Sequence, residues 1–293
     1  MCLTSISYGQ KDFEFYNKGA LKLDSEDYHG AIADYSKAIA LNPNYSKAYN
    51  NRGIAKLNLQ NYQGAIADYS KAIELNPSNS NAYSNRGFAK MSLQDYRGAI
   101  ADYSKVIELN RTDSAAYFYR ANVKAKMEDY QGAIADYSKA IALNPNYGKA
   151  YVNRGINKVV LQDYQGAIVD YTKAIALNPE LSEACFYRAI AKNKLEDYRG
   201  AIEDYSKAIE LNPKYGKAYG NRGSVKYTLQ DYQDAIADYT KAIELNPDYG
   251  EAYFNRGVVN LRVNQKNAAC LDFSKAGELG KAEAYEMIKK YCK

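Results

Sequence analysis

The prolines constrain the fold of this chain more than any other feature of its sequence. All six fall in one frame with a spacing of 34 residues, apart from one gap of 68 in which Arg111 takes the expected place. They are Pro43, Pro77, Pro145, Pro179, Pro213 and Pro247. A fixed period of this length indicates a tandem array of one supersecondary unit. The frame places eight repeats at 12–45, 46–79, 80–113, 114–147, 148–181, 182–215, 216–249 and 250–283.

Each 34-residue unit predicts two helices, at roughly repeat positions 2–14 and 17–30. An aspartate or asparagine that can accept hydrogen bonds from first-turn amides precedes each of the first seven second helices. These predicted N-caps are Asp27, Asn61, Asp95, Asp129, Asp163, Asp197 and Asp231. The recurrent Leu-Asn-Pro sequence ends the second helix, because the residue before a proline is displaced from the helical region. The short connections make neighbouring helices antiparallel.

Small and large residues recur where such helices would pack. Position 20 is alanine in all eight repeats, position 8 is glycine or alanine, and position 27 is alanine or valine. Position 24 is aromatic throughout, at Tyr35, Tyr69, Tyr103, Tyr137, Tyr171, Tyr205, Tyr239 and Phe273. Positions 4, 17 and 24 together hold 20 of the 31 tyrosines, so we interpret the tyrosine richness as packing rather than as base stacking.

These columns, with an aromatic residue at position 4 and proline at position 32, resemble the tetratricopeptide repeat. The resemblance covers residues 12–283. It implies an all-α fold, a right-handed α-solenoid superhelix of about eight helix-turn-helix repeats. Residues 1–11 are then an N-terminal lead-in. Residues 281–293 carry Ala284, Ile288 and Tyr291 at helical spacing, which predicts a C-terminal capping helix over the apolar face of the last repeat.

One departure from the family pattern is a charge ladder, since positions 7 and 11 are basic where the family usually has leucine and often has tyrosine. Position 7 is Lys18, Arg52, Arg86, Arg120, Arg154, Arg188, Arg222 and Arg256. Position 11 is Lys22, Lys56, Lys90, Lys124, Lys158, Lys192, Lys226 and Asn260. Position 23 is Asp34, Asp68, Asp102, Asp136, Asp170, Asp204, Asp238 and Asp272. We predict that arginine and aspartate pair between the two helices of each hairpin. A basic stripe for nucleic acid is the alternative, and it leaves eight carboxylates unexplained.

Candidate binding residues follow from the resemblance, because the first helices of such arrays line a concave groove with positions 2, 5, 6, 9, 12 and 13. Position 6 carries Asn17, Asn51, Asn85, Asn153, Asn221 and Asn255, and Asn122 lies at position 9. An asparagine can bond the peptide group of a ligand whatever the ligand's side chains. Solvated surface, or bonds to a neighbouring helix, is the alternative interpretation. The two-carboxylate clamp of chaperone-binding members is broken, because Glu183 stands where it needs lysine.

Repeats 4 and 6 differ from the others and match one another. Their position-6 residues are tyrosines, preceded by phenylalanines and followed by position-13 lysines; the residues are Phe118, Tyr119, Lys126, Phe186, Tyr187 and Lys194. These residues predict side-chain pockets that confer specificity, with drift after duplication as the competing explanation. The charged groove positions are modestly basic in sum, which favours an acidic or carboxylate-bearing peptide.

The remaining features argue against catalysis and cofactors. His29 is the only histidine, no glycine-rich phosphate loop is present, and no cysteine pair or histidine-rich tract suggests a metal site. The four scattered cysteines predict free thiols in a reducing compartment, hence a cytoplasmic protein, and no apolar run is long enough to span a membrane. We therefore expect a non-catalytic adaptor or scaffold for a protein or peptide partner. RNA binding is disfavoured but remains an alternative, and self-association stays open.

Overall fold

A computed structural model describes residues 5–292, with side chains from residue 10 onward. This part of the chain is all-α and contains no strand. Its seventeen helices are α1 (Ser5–Asp24), α2 (Tyr28–Leu41), α3 (Ser46–Asn58), α4 (Tyr62–Leu75), α5 (Ser80–Ser92), α6 (Tyr96–Leu109), α7 (Ser114–Lys126), α8 (Tyr130–Leu143), α9 (Gly148–Val160), α10 (Tyr164–Leu177), α11 (Ser182–Lys194), α12 (Tyr198–Leu211), α13 (Gly216–Thr228), α14 (Tyr232–Leu245), α15 (Gly250–Arg262), α16 (Lys266–Glu278) and α17 (Glu283–Tyr291). Two helices per repeat are thus confirmed. The first helix of the chain starts earlier than its repeat frame predicts, at Ser5, because no proline turn precedes it.

The chain divides into two compact units, one ending at Ala150 and the other beginning at Tyr151. In the first unit each helix from α1 to α8 packs against the next, and in the second each helix from α10 to α17 does so. The position-24 aromatic rings are the largest buried side chains, at most 2% exposed. The alanines at position 20 are completely buried. The packing interpretation of the position-24 tyrosines is confirmed.

The turn of each hairpin contains one residue whose backbone lies in the left-handed region, which we did not predict from the sequence. These residues occupy position 15 with φ between 59° and 66°, and none is glycine: Glu26, Gln60, Gln94, Glu128, Gln162, Glu196, Gln230 and Asn264. In the first hairpin the amide of Asp27 donates to the carbonyl of Lys22 at 2.8 Å. The amide of Glu26 donates to Leu23 at 3.1 Å. These bonds satisfy carbonyls at the end of the first helix and set the return of the chain.

Six of the seven predicted N-caps form, each accepting from the amide three residues further on, as Asp27 does from Gly30 at 2.9 Å. The prediction is wrong for Asp231, whose side chain makes no cap bond. The six successful caps all bond a glycine, and a Cβ at that glycine would overlap the cap side chain. Asp234 occupies the corresponding place after Asp231, so its Cβ excludes the same approach.

The charge ladder pairs as predicted. Seven arginines each donate from Nε and Nη2 to the two oxygens of the position-23 aspartate at 2.6–3.0 Å: Arg52–Asp68, Arg86–Asp102, Arg120–Asp136, Arg154–Asp170, Arg188–Asp204, Arg222–Asp238 and Arg256–Asp272. The position-11 lysines of the first seven repeats approach the same aspartates at 2.6–2.9 Å. Most of the basic side chains of the ladder are therefore paired inside the fold, and all eight of its aspartates are buried.

The arginines also tie consecutive repeats together, which sequence reasoning missed. Nη1 of Arg52 donates to the hydroxyl of Ser36, in the preceding repeat, at 3.0 Å. Five further arginines make the same bond at 2.9–3.1 Å, at Arg86–Ser70, Arg120–Ser104, Arg188–Thr172, Arg222–Ser206 and Arg256–Thr240. The available signal was position 25, which is serine or threonine in all eight repeats. One guanidinium thus joins three helices.

The first repeat departs from the pairing pattern of the ladder. Lys18 pairs with Glu14 at 2.6 Å rather than with Asp34, so that predicted pair is wrong. Position 7 of the first repeat is a lysine, which lacks the planar guanidinium fork, and Asp34 takes Lys22 and Lys37 instead, at 2.6 and 3.4 Å. Burial raises the pKa of Asp34, but the hydrogen bonds from these two lysines outweigh it and leave the pKa below its usual value.

The C-terminal helix α17 packs on α16, as predicted for a cap. Ala284 is completely buried in this contact, beside the partly buried Ile288. The prediction of free thiols is wrong for Cys270 and Cys292, which form a disulfide across the contact. The two cysteines are 22 residues apart and meet only because α17 packs on α16, so their spacing in the sequence did not indicate a disulfide. Disulfides are rare in cytosolic proteins, so the cytoplasmic prediction loses this support.

The other two cysteines do not alter this correction. Cys185 is free and buried, and burial raises the pKa of its thiol. The prediction for Cys2 lies outside the described residues. No helix between residues 5 and 292 is both long enough and apolar enough to cross a membrane.

Candidate peptide-binding face

The first helices of the repeats carry every predicted binding residue, and we call the surface formed by their positions 2, 5, 6, 9, 12 and 13 the first-helix face. In the first unit Asn17, Tyr119 and Lys126 are exposed, Asn51, Asn85 and Asn122 are half-buried, and Phe118 is buried. In the second unit Lys194 is exposed, Asn153, Tyr187, Asn221 and Asn255 are half-buried, and Phe186 is buried. Ligand contact at these residues remains a prediction.

The asparagine column is partly committed to internal bonds. The Nδ2 of Asn51 donates to the hydroxyls of Tyr16 and Tyr35 at 3.1 and 3.4 Å. Asn221 is likewise hydrogen-bonded to the buried Tyr205. At position 9, Asn122 accepts a bond of 2.6 Å from the hydroxyl of Tyr137. These bonds agree with the alternative in which asparagines bond neighbouring helices, so such asparagines hold the aromatic core as well as facing outward.

Repeats 4 and 6 build the same aromatic cluster, one in each unit. Tyr119 stacks on Tyr103 with ring centroids 5.8 Å apart. Tyr187 stacks on Tyr171 at 6.0 Å. The buried hydroxyl of Tyr171 has no hydrogen bond, and neither has that of Tyr69, which is followed by the position-6 asparagine Asn85. The matching motifs therefore produce matching geometry.

Phe118 and Phe186 lie beneath these tyrosines, only 7% and 6% exposed. Phe118 stacks on Tyr147 at 4.8 Å, and Phe186 packs on Tyr215 at 4.7 Å. Most of each phenylalanine ring is therefore used in packing, and the side chains that remain open to a ligand are the tyrosines and the lysines.

The second unit contains a cavity of about 420 Å³ beside the sixth-repeat cluster. Its lining residues are Phe186, Tyr187, Lys214, Tyr215, Gly216, Lys217, Leu245, Asn246 and Tyr249. Aromatic rings form much of its wall, with Lys214 and Lys217 as its only charged side chains. Neither ammonium has a carboxylate within salt-bridge distance among the described residues.

A glycine outside the lining lets one of the lining rings, that of Tyr249, lie where it does. Gly220 occupies position 5, where repeat 6 has Phe186. A Cβ at Gly220 would lie 3.1 Å from the ring of Tyr249 and 3.2 Å from its hydroxyl. The absence of a side chain lets the Tyr249 ring lie close over α13. A larger residue at this position would push that ring away.

The wall tyrosines remain protonated well above neutral pH. Burial raises the pKa of Tyr215 to about 12, with smaller contributions from Tyr187 and the carboxylate of Glu183. Burial and Glu183 also raise the pKa of Tyr187, while burial and Glu251 raise that of Tyr249. The phenols can therefore donate hydrogen bonds to a ligand.

Tyr215 and Tyr249 were not predicted as candidate site residues, because they lie before the first helices and the candidates were taken from positions within those helices. A signal was present: Pro-x-Tyr follows the second helix at Tyr45, Tyr147, Tyr215 and Tyr249. The first unit has an analogous cavity of about 720 Å³ that includes Tyr16, Tyr45 and Asn51, with a lining richer in asparagine and serine.

Comparison with known proteins now identifies the repeat. A tetratricopeptide repeat model matches residues 46–79, 80–113, 114–147, 182–215 and 216–249. Two further models of this repeat match residues 19–60 and 238–271. The chain belongs to the tetratricopeptide repeat family. A comparison with curated proteins gave no significant match.

Solved structures of other tetratricopeptide repeat proteins share the fold. A repeat protein from Parabacteroides merdae is 20% identical, with a TM-score of 0.64, over 85% of this chain and 99% of that one. The C-terminal part of a repeat protein from Cytophaga hutchinsonii is 20% identical, with a TM-score of 0.71, over 82% and 98%. YrrB, described as having an unusual peptide-binding site, is 26% identical, with a TM-score of 0.55, over 63% and 95%. These likenesses confirm the all-α helical-repeat fold.

Proposed function

We propose that this tetratricopeptide repeat protein is a non-catalytic adaptor that binds a segment of a partner protein on its first-helix face. The family and its structural relatives support a protein-interaction role in general. The observation that carries the more specific proposal is the aromatic-walled cavity of the second unit, where tyrosine rings and two unpaired lysines are open together. The related YrrB is described as having an unusual peptide-binding site, which agrees with a peptide as ligand.

The distribution of charge favours a protein segment over RNA. Seven arginines of the ladder are each bonded to a buried aspartate, so they do not form a free basic stripe along the first helices. Phosphate binding depends on accessible lysines and arginines. The uncommitted cations are instead scattered among amides and phenols, which suit a mixed polar and apolar segment.

Some candidate residues can be replaced without disturbing the core, and these are suited to a test of binding. Asn51 and Asn221 are unsuitable, because their replacement would also remove bonds to core tyrosines. Replacing Tyr119, Lys126, Tyr187 and Lys194 leaves the ladder untouched and removes ring packing, including the stacking on Tyr103 and Tyr171, so circular dichroism of the variant checks that the fold is kept. A variant with all four changed to serine is therefore expected to keep its helix content and lose its partner.

The experiment is affinity capture from the source cells with quantitative mass spectrometry. A control with Lys139→Ser and Lys173→Ser changes exposed second-helix lysines that have no salt bridge within the described chain. We expect a partner to be enriched by the wild type and the control but not by the four-residue variant. Equal enrichment by all three proteins would refute binding on this face.

A further inference from the structure

The loops between repeats in the second unit carry an alternating charge pattern. Each loop presents two charged residues, at position 33 of one repeat and position 2 of the next. The successive pairs are Glu180 with Glu183, Lys214 with Lys217, and Asp248 with Glu251. All six side chains are exposed, and none forms a salt bridge within the described chain. The corresponding positions of the first unit include no acidic residue.

Helix stability does not account for the central basic pair. Glu183 and Glu251 lie in the first turns of α11 and α15, where a negative charge is favoured by the helix dipole. Lys217 lies in the first turn of α13, where the dipole opposes a positive charge. The helix dipole thus explains Glu183 and Glu251 but neither Glu180 and Asp248, which precede the helices, nor the lysine pair, which lines the aromatic cavity.

Resting on the proposed function, we propose that the second unit recognises an extended protein segment with a carboxylate side chain at its centre and basic side chains three residues to either side. The central carboxylate lies between Lys214 and Lys217 at the mouth of the cavity. The flanking basic side chains lie at the acidic pairs of the two neighbouring loops. The order of charges reads the same in both directions along the segment, so the pattern does not depend on chain polarity.

The spacing of three residues follows from the helix packing. The first helices α13 and α15 of consecutive repeats are in contact, and packed helices lie about 8–10 Å apart. A polyproline II segment has three residues per turn and rises about 3.1 Å per residue. Side chains three residues apart therefore point to the same side at about 9 Å intervals, which matches one repeat step. The tyrosine walls and Leu245 suit a proline or leucine beside the carboxylate.

Direct binding of labelled synthetic peptides to the full chain tests this pattern. The probe is Lys-Pro-Leu-Glu-Pro-Leu-Lys, and the comparison peptide, Glu-Pro-Leu-Lys-Pro-Leu-Glu, inverts each charge. We expect the wild type to bind the probe at least about tenfold more tightly, the effect of a few matched exposed charges. Lys214→Glu with Lys217→Glu should reduce this preference to a few-fold, because the central charge is then mismatched while the two acidic pairs still favour the probe. The control pair Lys139→Glu and Lys173→Glu, which makes the same charge change on second helices, should retain it.

A charge-swapped variant provides the strongest form of the test. It reverses all six loop charges, and we expect it to bind the inverted peptide more tightly than the probe. Equal binding of both peptides by the wild type, or loss of preference in the control pair, would overturn the proposed pattern.

Panning a displayed random-peptide library separates this inference from the proposed function. Enriched peptides whose capture needs Tyr187 and that carry the acid between two bases support both. Enriched peptides that need Tyr187 but lack the pattern overturn only the inference. A library that yields no peptide dependent on Tyr187 overturns both.

Discussion

Replacing Arg154 by leucine, the usual family residue at position 7, should strongly destabilise the fifth repeat. The change removes two charge-assisted bonds to Asp170, of 2.9 Å from Nε and 2.6 Å from Nη2. The Asp170 side chain is only 1% exposed, so water cannot replace them, but Lys158 still approaches it at 2.8 Å. Stranding a buried carboxylate costs about 3–5 kcal/mol. Because Lys158 retains part of the pairing, we expect a loss of about 3 kcal/mol in the free energy of unfolding.

Urea denaturation followed by far-ultraviolet circular dichroism measures this loss. Lys207→Ala is the matched control, since its pair with Glu210 is exposed, and it should cost less than about 1 kcal/mol. Adding Asp170→Leu to the Arg154 variant should recover part of the stability, because the buried carboxylate is then gone, while Lys158 loses its partner but is 18% exposed and can reach water. A loss for Arg154→Leu as small as that of the control would refute the view that the ladder is a buried structural network.

Three further predictions concern the interior and the C-terminus. Asn157 is 4% exposed, and its Oδ1 is unbonded while its Nδ2 donates to the backbone carbonyl of Asn153 at 2.7 Å. Asn157→Val removes both groups, and we expect the relief of the unbonded oxygen to outweigh the lost bond and to raise the unfolding free energy by about 1 kcal/mol in urea denaturation; an unchanged or lower value contradicts this. Burial raises the pKa of Tyr35 to about 12, so the stability that this protonated ring contributes is present below about pH 10 and is lost as the pH rises toward 12. Tyrosinate absorbance should show that the buried rings ionise only when the protein unfolds, and ionisation of all tyrosines before unfolding would contradict this. Reduction of the disulfide between Cys270 and Cys292, which are 22 residues apart, should lower the free energy of local unfolding of α17 by up to about 3 kcal/mol. Backbone amides of α17 should then exchange hydrogen faster, and unchanged exchange would show that the disulfide does not stabilise this helix.

The repeat made most of the fold predictable from the sequence. Each column, such as the position-24 aromatic residues or the position-23 aspartates, shows the same environment eight times within one sequence, so its packing role could be deduced from this chain alone. The pairing of Arg52 with Asp68 followed from folding one hairpin, because both residues belong to the same repeat.

Features that depend on contacts between different repeats, or with segments outside the repeats, were harder to predict. The bond from Arg52 to Ser36 joins two repeats, and the disulfide joins α16 to a segment outside the repeat. The failed cap at Asp231 depends on one neighbouring side chain rather than on the cap residue itself. Tyr215 and Tyr249 lie in loops, where helical periodicity carries no information.

The central claim is that a partner segment lies on the first-helix face of the second unit. Site-specific photocrosslinking tests it most directly, with a photoreactive phenylalanine analogue placed at Tyr187 on that face or at Lys173 on a second helix. We expect the captured partner or a library-selected peptide to crosslink from Tyr187 and not from Lys173. Crosslinking from Lys173 alone would place the partner on another surface and contradict binding on the first-helix face.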